Sequence, residues 1–369
     1  MTSSFAVNPF RYASPVGLED LIDRDDETEI LLATASEGNH ARLVAPRRYG
    51  KTSLLRRVLL EASDAGWTCV YVDFFGVLTL GDVADRIERA YAASLTGRAA
   101  RWFDGLRTTL TPTVTAGAGP LKASARIDLR MPSLAERLDL PLRLHEKFDT
   151  RVLVVFDEFQ EVLVADSSAD AVIRASIQHH GAAASYVFSG SQVGMMHQLF
   201  GDRRRAFYAQ ARPVYLPPLK APECAQFISD RFTTTGKDVG TALTPLLDVT
   251  GGHPQRTMLL ANATWERTPD GGGADEETFS RAADRVLLDL GDEFRTLWTA
   301  LPSGQRRVLA AIARGERPYG TTTVGGSRGG AVRSALTALV DRGEIVQHHR
   351  ERSTYRVVDP LLAAWIVRE

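Results

Sequence analysis

The chain has 369 residues, 44% hydrophobic and 24% charged, the make-up of a globular protein with room for two or three folding units, which excludes a disordered or collagenous chain. Its apolar runs fall short of the roughly 18 residues that cross a bilayer, no basic flank leads into an apolar stretch at the start, and the two cysteines, Cys69 and Cys224, read as buried thiols, so a cytoplasmic protein without a membrane partner is expected. The net charge is −1, yet residues 295–369 hold 12 arginines against 6 carboxylate side chains, a balance of +6, and the remainder carries −7.

In chain order, helix-period apolar residues cover 27–36, and 41–45 (ARLVA) is a short buried-strand run. Residues 52–62 (TSLLRRVLLEA) form an amphipathic helix, 67–74 a strand and 83–95 a further helix. The segment 111–129 (TPTVTAGAGPLKASARIDL) alternates around a Gly/Pro turn and reads as a β-hairpin insertion. Strands follow at 151–156, 185–188 and 214–216, with a helix at 169–179 between the first two. Five parallel-type strands alternating with helices predict an α/β doubly wound sheet.

From 221 to 290 the pattern is helical, interrupted by Gly251-Gly252 and a loop at 270–273. The tail predicts helices at 303–313 and 331–341, the latter stopped by Gly343, then a two-stranded wing at 344–348 and 354–358 with its tip at His349-Arg350-Glu351-Arg352. The expected division is 1–218 for an α/β core, 219–292 for a helical lid and 293–369 for a winged-helix domain.

The first motif is Ala45-Pro46-Arg47-Arg48-Tyr49-Gly50-Lys51-Thr52, which fits GxxxxGK[ST] with alanine at the first glycine position. A strand enters it and a helix leaves it, so backbone N–H groups and the helix N-terminus converge where a triphosphate's charge would sit. Pro46, Arg47, Arg48, Tyr49, Gly50, Lys51, Thr52 and Ser53 are the expected nucleotide-binding residues. Lys51 would neutralise the β- and γ-phosphates and the Thr52 hydroxyl would complete a magnesium shell. With only five lysines beside 39 arginines in the chain, a lysine at that position is informative.

The second motif is Val152-Leu153-Val154-Val155-Phe156-Asp157-Glu158, an apolar strand ending in two carboxylates. A strand buried on both faces delivers an acid at its C-terminal end into the crevice where α/β sheets bind ligands. Asp157 is expected to hold Mg²⁺ through water, and Glu158 to polarise the water that attacks the γ-phosphate.

With these two motifs, Asn8-Pro9-Phe10, the 22–27 segment, Ser189-Gly190-Ser191, Gly252-His253-Pro254 and Val358-Asp359-Pro360-Leu361-Leu362 in this order, the chain resembles the archaeal-type ATPases, P-loop proteins related to AAA+ and STAND ATPases. The resemblance implies a P-loop NTPase sheet with helical lid and winged-helix tail, ATP/ADP and Mg²⁺ as cofactors, slow ATP hydrolysis, an N-terminal segment covering adenine and a sensor role for Ser191. For Ser191 two readings stand, a γ-phosphate contact or a helix cap. Arg256, in the first turn after Pro254, opposes the helix dipole, which favours a specific role, and is expected to contact the nucleotide if the lid folds back.

The run Arg203-Arg204-Arg205 is either a solvated face or, in a homo-oligomer, the source of an arginine finger. In the tail, Arg328, Arg333, Ser334 and Thr337 with the wing arginines Arg350 and Arg352 suit duplex DNA bound through residues 328–352. In STAND relatives the same domain clasps the ATPase core instead. The overall expectation is a magnesium-dependent ATPase switch, with an ATP-regulated DNA-binding protein as the alternative.

Overall fold

The computed structural model describes residues 7–110, 134–316, 318, 329–347 and 355–369. The expected hairpin at 111–129, Arg328 and the wing tip at 349–352 lie outside the described residues. In chain order the N-terminal half contains α1 (Asp25–Ser36), β1 (Ala41–Val44), α2 (Lys51–Asp64), β2 (Thr68–Asp73), α3 (Leu80–Ser94), α4 (Gly97–Leu110), α5 (Leu134–Leu138), α6 (Leu140–Phe148) and β3 (Val152–Asp157). Then come α7 (Val162–Ala165), α8 (Ala169–Ile177), β4 (Ala184–Gly190), α9 (Val193–Gly201) and β5 (Arg212–Tyr215).

The five strands form one sheet in the order β2-β3-β4-β1-β5, parallel throughout. Every residue of β3 is buried. Its side chains alternate between two cores: Val152, Val154 and Phe156 join one, Leu153 and Val155 the other. A strand clothed by helices on both faces must be apolar at every position, which is why VLVVF precedes the carboxylates. Under the end of β3, Phe159 and Phe188 lie 4.7 Å apart and Phe188 and Phe207 4.9 Å, an aromatic floor that fixes the turn carrying Glu158.

The C-terminal half is helical: α10 (Ala221–Thr234), α11 (Leu243–Thr250), α12 (Pro254–Arg267), α13 (Glu276–Ala300) and α14 (Ser303–Ala313). It closes with α15 (Gly329–Asp341), the antiparallel pair β6 (Ile345–Gln347) and β7 (Tyr355–Val357), and α16 (Pro360–Arg368). Two features depart from the expected division. Helix α13 runs unbroken through 292/293: the lone Gly291 sits inside it without ending it, and no proline follows before Pro302. One core also joins Phe232 and Leu260 to Leu309, Leu339 and Trp365, so the lid helices and the tail are packed as one body.

Gly252 links this body to the sheet. Its φ is +75°, and a Cβ there would lie 2.2 Å from the Leu219 carbonyl oxygen, so no larger residue fits. The Leu219 N–H in turn donates to the Gly252 carbonyl at 2.8 Å. No helix among the described residues is long and apolar enough to cross a membrane.

Candidate functional site

The loop between β1 and α2 wraps the N-terminus of α2. Gly50 takes a left-handed conformation, φ +85°, and Arg48 does so as well at φ +65°. Left-handed residues in a loop before a helix let successive N–H groups turn to a common centre, the geometry of an anion cradle. Pro46 has no N–H to contribute, so among the expected binding residues it shapes the loop and lends only its carbonyl. That carbonyl and the one of Ala45 accept from Lys51 Nζ, at 3.1 and 2.9 Å. Lys51 is buried, and burial pushes its ammonium pKa down, opposed by the carboxylates of Glu158 and Asp157.

Asp157 is the last residue of β3, buried at 5% exposure. One carboxylate oxygen accepts from the Glu158 N–H at 3.0 Å and the other from the Tyr71 hydroxyl. Burial, and next the Asp157 charge, push the Tyr71 phenol pKa well up. Glu158 turns out of the strand with φ +49°, a costly conformation for a non-glycine residue that aims its side chain back over the sheet edge. Its Oε2 accepts from Gln160 Nε2 at 2.6 Å, the Ser191 hydroxyl at 2.7 Å and the Ser191 N–H at 3.3 Å. Ser191 thus bridges from the end of β4 to Glu158. The space for Gln160 exists only because residue 190 is glycine: a Cβ there would come within 2.4 Å of Gln160 Oε1.

Lys51 and Glu158 border a cleft of ≈340 Å³, within the range of small-ligand sites. Arg47, Arg48, Tyr49, Gly50, Thr52 and Ser53 line it as well. Tyr12, Val16, Ile22, Leu219 and Met258 add apolar lining of the kind a planar base would require. The N-terminal segment therefore contributes through residues 11–16 and Ile22. Phe10 instead enters the helical core against Phe232, and Asn8 is tied to the Asn262 carbonyl at 3.1 Å. Ser53 also works on that segment, its hydroxyl accepting from the Val16 N–H at 3.1 Å.

Tyr49 and Arg256 are turned to other partners. The Tyr49 ring is buried edge-on against His253, 5.0 Å between centroids, and its hydroxyl interacts with Arg356 of β7. Arg256 is 3% exposed and grips Asp359 through Nε, 3.0 Å from each carboxylate oxygen, and through Nη2. It does not line the cleft. The same Asp359 caps α16 by accepting from the Leu361 N–H at 3.0 Å. His253 caps α12, accepting from the Arg256 N–H, and burial lowers its pKa to about 4, which keeps the ring neutral. In the 203–205 run, Arg204 pairs with Asp202, Arg205 donates to the Ser167 carbonyl, and Arg203 is exposed.

No cluster of three or more His, Cys, Asp or Glu side chains suited to a metal occurs among the described residues. This agrees with a P-loop cation, which takes one hydroxyl, a carboxylate through water and substrate phosphates rather than a protein cage. Thr52 and the buried Asp157 are hard oxygen donors of that type, and they fit magnesium.

No family model matches the chain, and no curated protein matches it in sequence. Among solved structures it is similar to a Walker-type ATPase of Pyrococcus abyssi, with TM-score 0.71 and 19% identity over 97% of this chain and 99% of that one. It is also similar to the ORC2 protein of Aeropyrum pernix in its ADPNP–ADP complexes, at TM-score 0.55 and 16% identity over 94% of both chains. The ADP form of that ORC2 protein gives 0.53 and 15% over 97% of both. These likenesses establish the fold: the chain has the α/β P-loop architecture of Walker-type ATPases, as expected from its two motifs.

Proposed function

We propose that the protein binds ATP with magnesium, hydrolyses it slowly, and uses the nucleotide state to set the position of its C-terminal body. The observation that carries this reading is the convergence of Lys51, Thr52 and Glu158 on one cleft that also has apolar lining, with Asp157 beside Glu158. Loop N–H groups and Lys51 would bind the phosphates, and residues 12, 16, 22, 219 and 258 the base. Magnesium, held by Thr52 and through water by Asp157, would supply charge neutralisation between the β- and γ-phosphates. Glu158 is the group that would take a proton from the attacking water. Ser191 and Gln160 hold its carboxylate in place until a γ-phosphate competes for Ser191.

The switch is supported by interactions of the C-terminal body with the phosphate loop itself: Glu293 of α13 lies 3.9 Å from Arg48, and the charge of Arg356 of β7 acts on Tyr49. A loop that reorganises around a triphosphate would pull on both. The units are accordingly read as an ATPase core at 1–218, a lid, and a winged-helix tail that begins at the α13–α14 turn rather than at 293. Arg256, joined to Asp359, belongs in this reading to the lid–tail junction. The purified chain is expected to bind ATP and to release phosphate only when magnesium is present, as followed by calorimetry and a phosphate assay with and without chelator. No nucleotide binding by the intact chain would refute the proposal.

A second reading has its own observation. Arg333, Ser334 and Thr337 lie together on the exposed face of α15, in the most basic part of the chain, a surface suited to duplex DNA. Log affinity should then fall with log salt with a slope of about −0.9 per phosphate, so the four contacts Arg328, Arg333, Arg350 and Arg352 give roughly −3 to −4. Absence of salt-dependent binding by the full chain would remove nucleic acid from the account. A homo-oligomer would leave Arg203 as the arginine free to reach a neighbour's site.

A further inference from the structure

Behind Asp157 stands a residue that neither motif includes. Tyr71 lies on β2 in register with Val155 of β3, two positions before Asp73 pairs with Asp157. Its hydroxyl donates to Asp157 Oδ2. The other oxygen of Asp157 is taken by the Glu158 N–H at 3.0 Å. Both oxygens of the carboxylate that would serve the cation are therefore held, one of them by a side chain from the neighbouring strand.

The order of donors has a consequence. A phenol both donates and accepts, whereas the Asp157 carboxylate only accepts. The phenol proton therefore goes to Asp157, a hydrogen bond with a single direction. The carboxylate is fixed by one donor on each oxygen, so it is held in one orientation at the end of β3. Removing the phenol hydroxyl would free one of those oxygens while leaving the ring and its packing in place.

We propose that Tyr71 is a positioning residue for a divalent cation in this cleft, acting by orienting the carboxylate of Asp157. The proposal rests on the nucleotide-site reading above and adds to it the residue that prepares the cation's surroundings. Hydrogen-bond partners behind metal-holding groups typically matter by about 10- to 100-fold in metal affinity, which makes the effect measurable.

The test uses the full chain and ATP as probe. Wild type, Tyr71→Phe, Asp157→Asn and the double variant are titrated with ATP by calorimetry in chelator, then with magnesium at fixed ATP to find the half-saturating concentration. Tyr71→Phe is expected to bind ATP in chelator within about twofold of wild type and to need about tenfold or more magnesium for half-saturation. In the Asp157→Asn background the same substitution should add little, since its partner is already altered. Equal magnesium requirement in wild type and Tyr71→Phe overturns the proposal. So does loss of ATP binding in chelator, which would make Tyr71 a structural residue, and so does an additive loss in the double variant. Wild type that binds no ATP would instead bring down the nucleotide-site reading itself, an outcome distinct from the others.

Discussion

Lys51→Ala is expected to abolish ATP binding over the working concentration range. The lysine ammonium is 6% exposed and donates to the carbonyls of Ala45 and Pro46, so it is already stripped of most of its water and held above the loop. An arriving phosphate has only to take over hydrogen bonds that two neutral carbonyls now make, and a charged oxygen is the stronger acceptor. Truncating one partner of a buried charge pair costs about 2–5 kcal/mol, about 30- to several-thousand-fold in affinity. Alanine also leaves the two carbonyls without their donor, so loop stability needs its own control. Lys51→Met keeps the length and packing of the side chain but likewise lacks the donor, so it should lose ATP to a similar degree, and a thermal unfolding curve near wild type for either variant would show that the loop stands without that hydrogen bond. Calorimetry with ATP on the three proteins decides the matter, and a Lys51→Ala chain that binds within about threefold of wild type would remove Lys51 from the site.

How much of this was legible beforehand differs from residue to residue. The phosphate loop and the strand ending in Asp157-Glu158 could be read because each is local: a strand, a turn and a helix within a dozen residues fix the chemistry. Tyr71 and Gln160 could not. Tyr71 is an ordinary strand residue until the β2–β3 register brings it to Asp157, 86 positions away. Gln160 gains its role only from the left-handed turn at Glu158 and the space left by Gly190. Arg256 lies between these cases. A base in the first turn of a helix is unfavourable there, and that signalled a specific role, read as a nucleotide contact. The partner is Asp359, whose own signal was an acid one residue before Pro360 at a helix start. Nothing in the spacing could pair two positions 103 residues apart. The lid–tail divide escaped for a related reason, since a long amphipathic helix carries no mark of where one unit passes to the next.

Glu158→Gln separates binding from chemistry, and its expected result is retained ATP affinity with turnover lowered by at least about 100-fold, the lower range for a positioned proton acceptor. Glutamine has the same shape, and its carbonyl can still accept from Ser191 and Gln160 in place of Oε2. The phosphate loop, the apolar lining of the cleft and Thr52 are untouched, so nothing that grips the nucleotide is lost. What disappears is the basic oxygen able to take a proton from water. The left-handed backbone at Glu158 is equally available to glutamine, which makes altered folding a poor explanation for any loss. Removing the holder instead of the acceptor should give a different pattern. Gln160→Leu leaves the carboxylate and Ser191 in place but frees one side of Glu158, so a fall in turnover smaller than that of Glu158→Gln is expected, again with ATP affinity preserved. Phosphate release at saturating ATP and magnesium, beside the ATP dissociation constant of each variant, reads both effects. Turnover in Glu158→Gln equal to wild type would assign the proton to another group, and Ser191, whose hydroxyl is a donor to Glu158 and not a base, could not take that place.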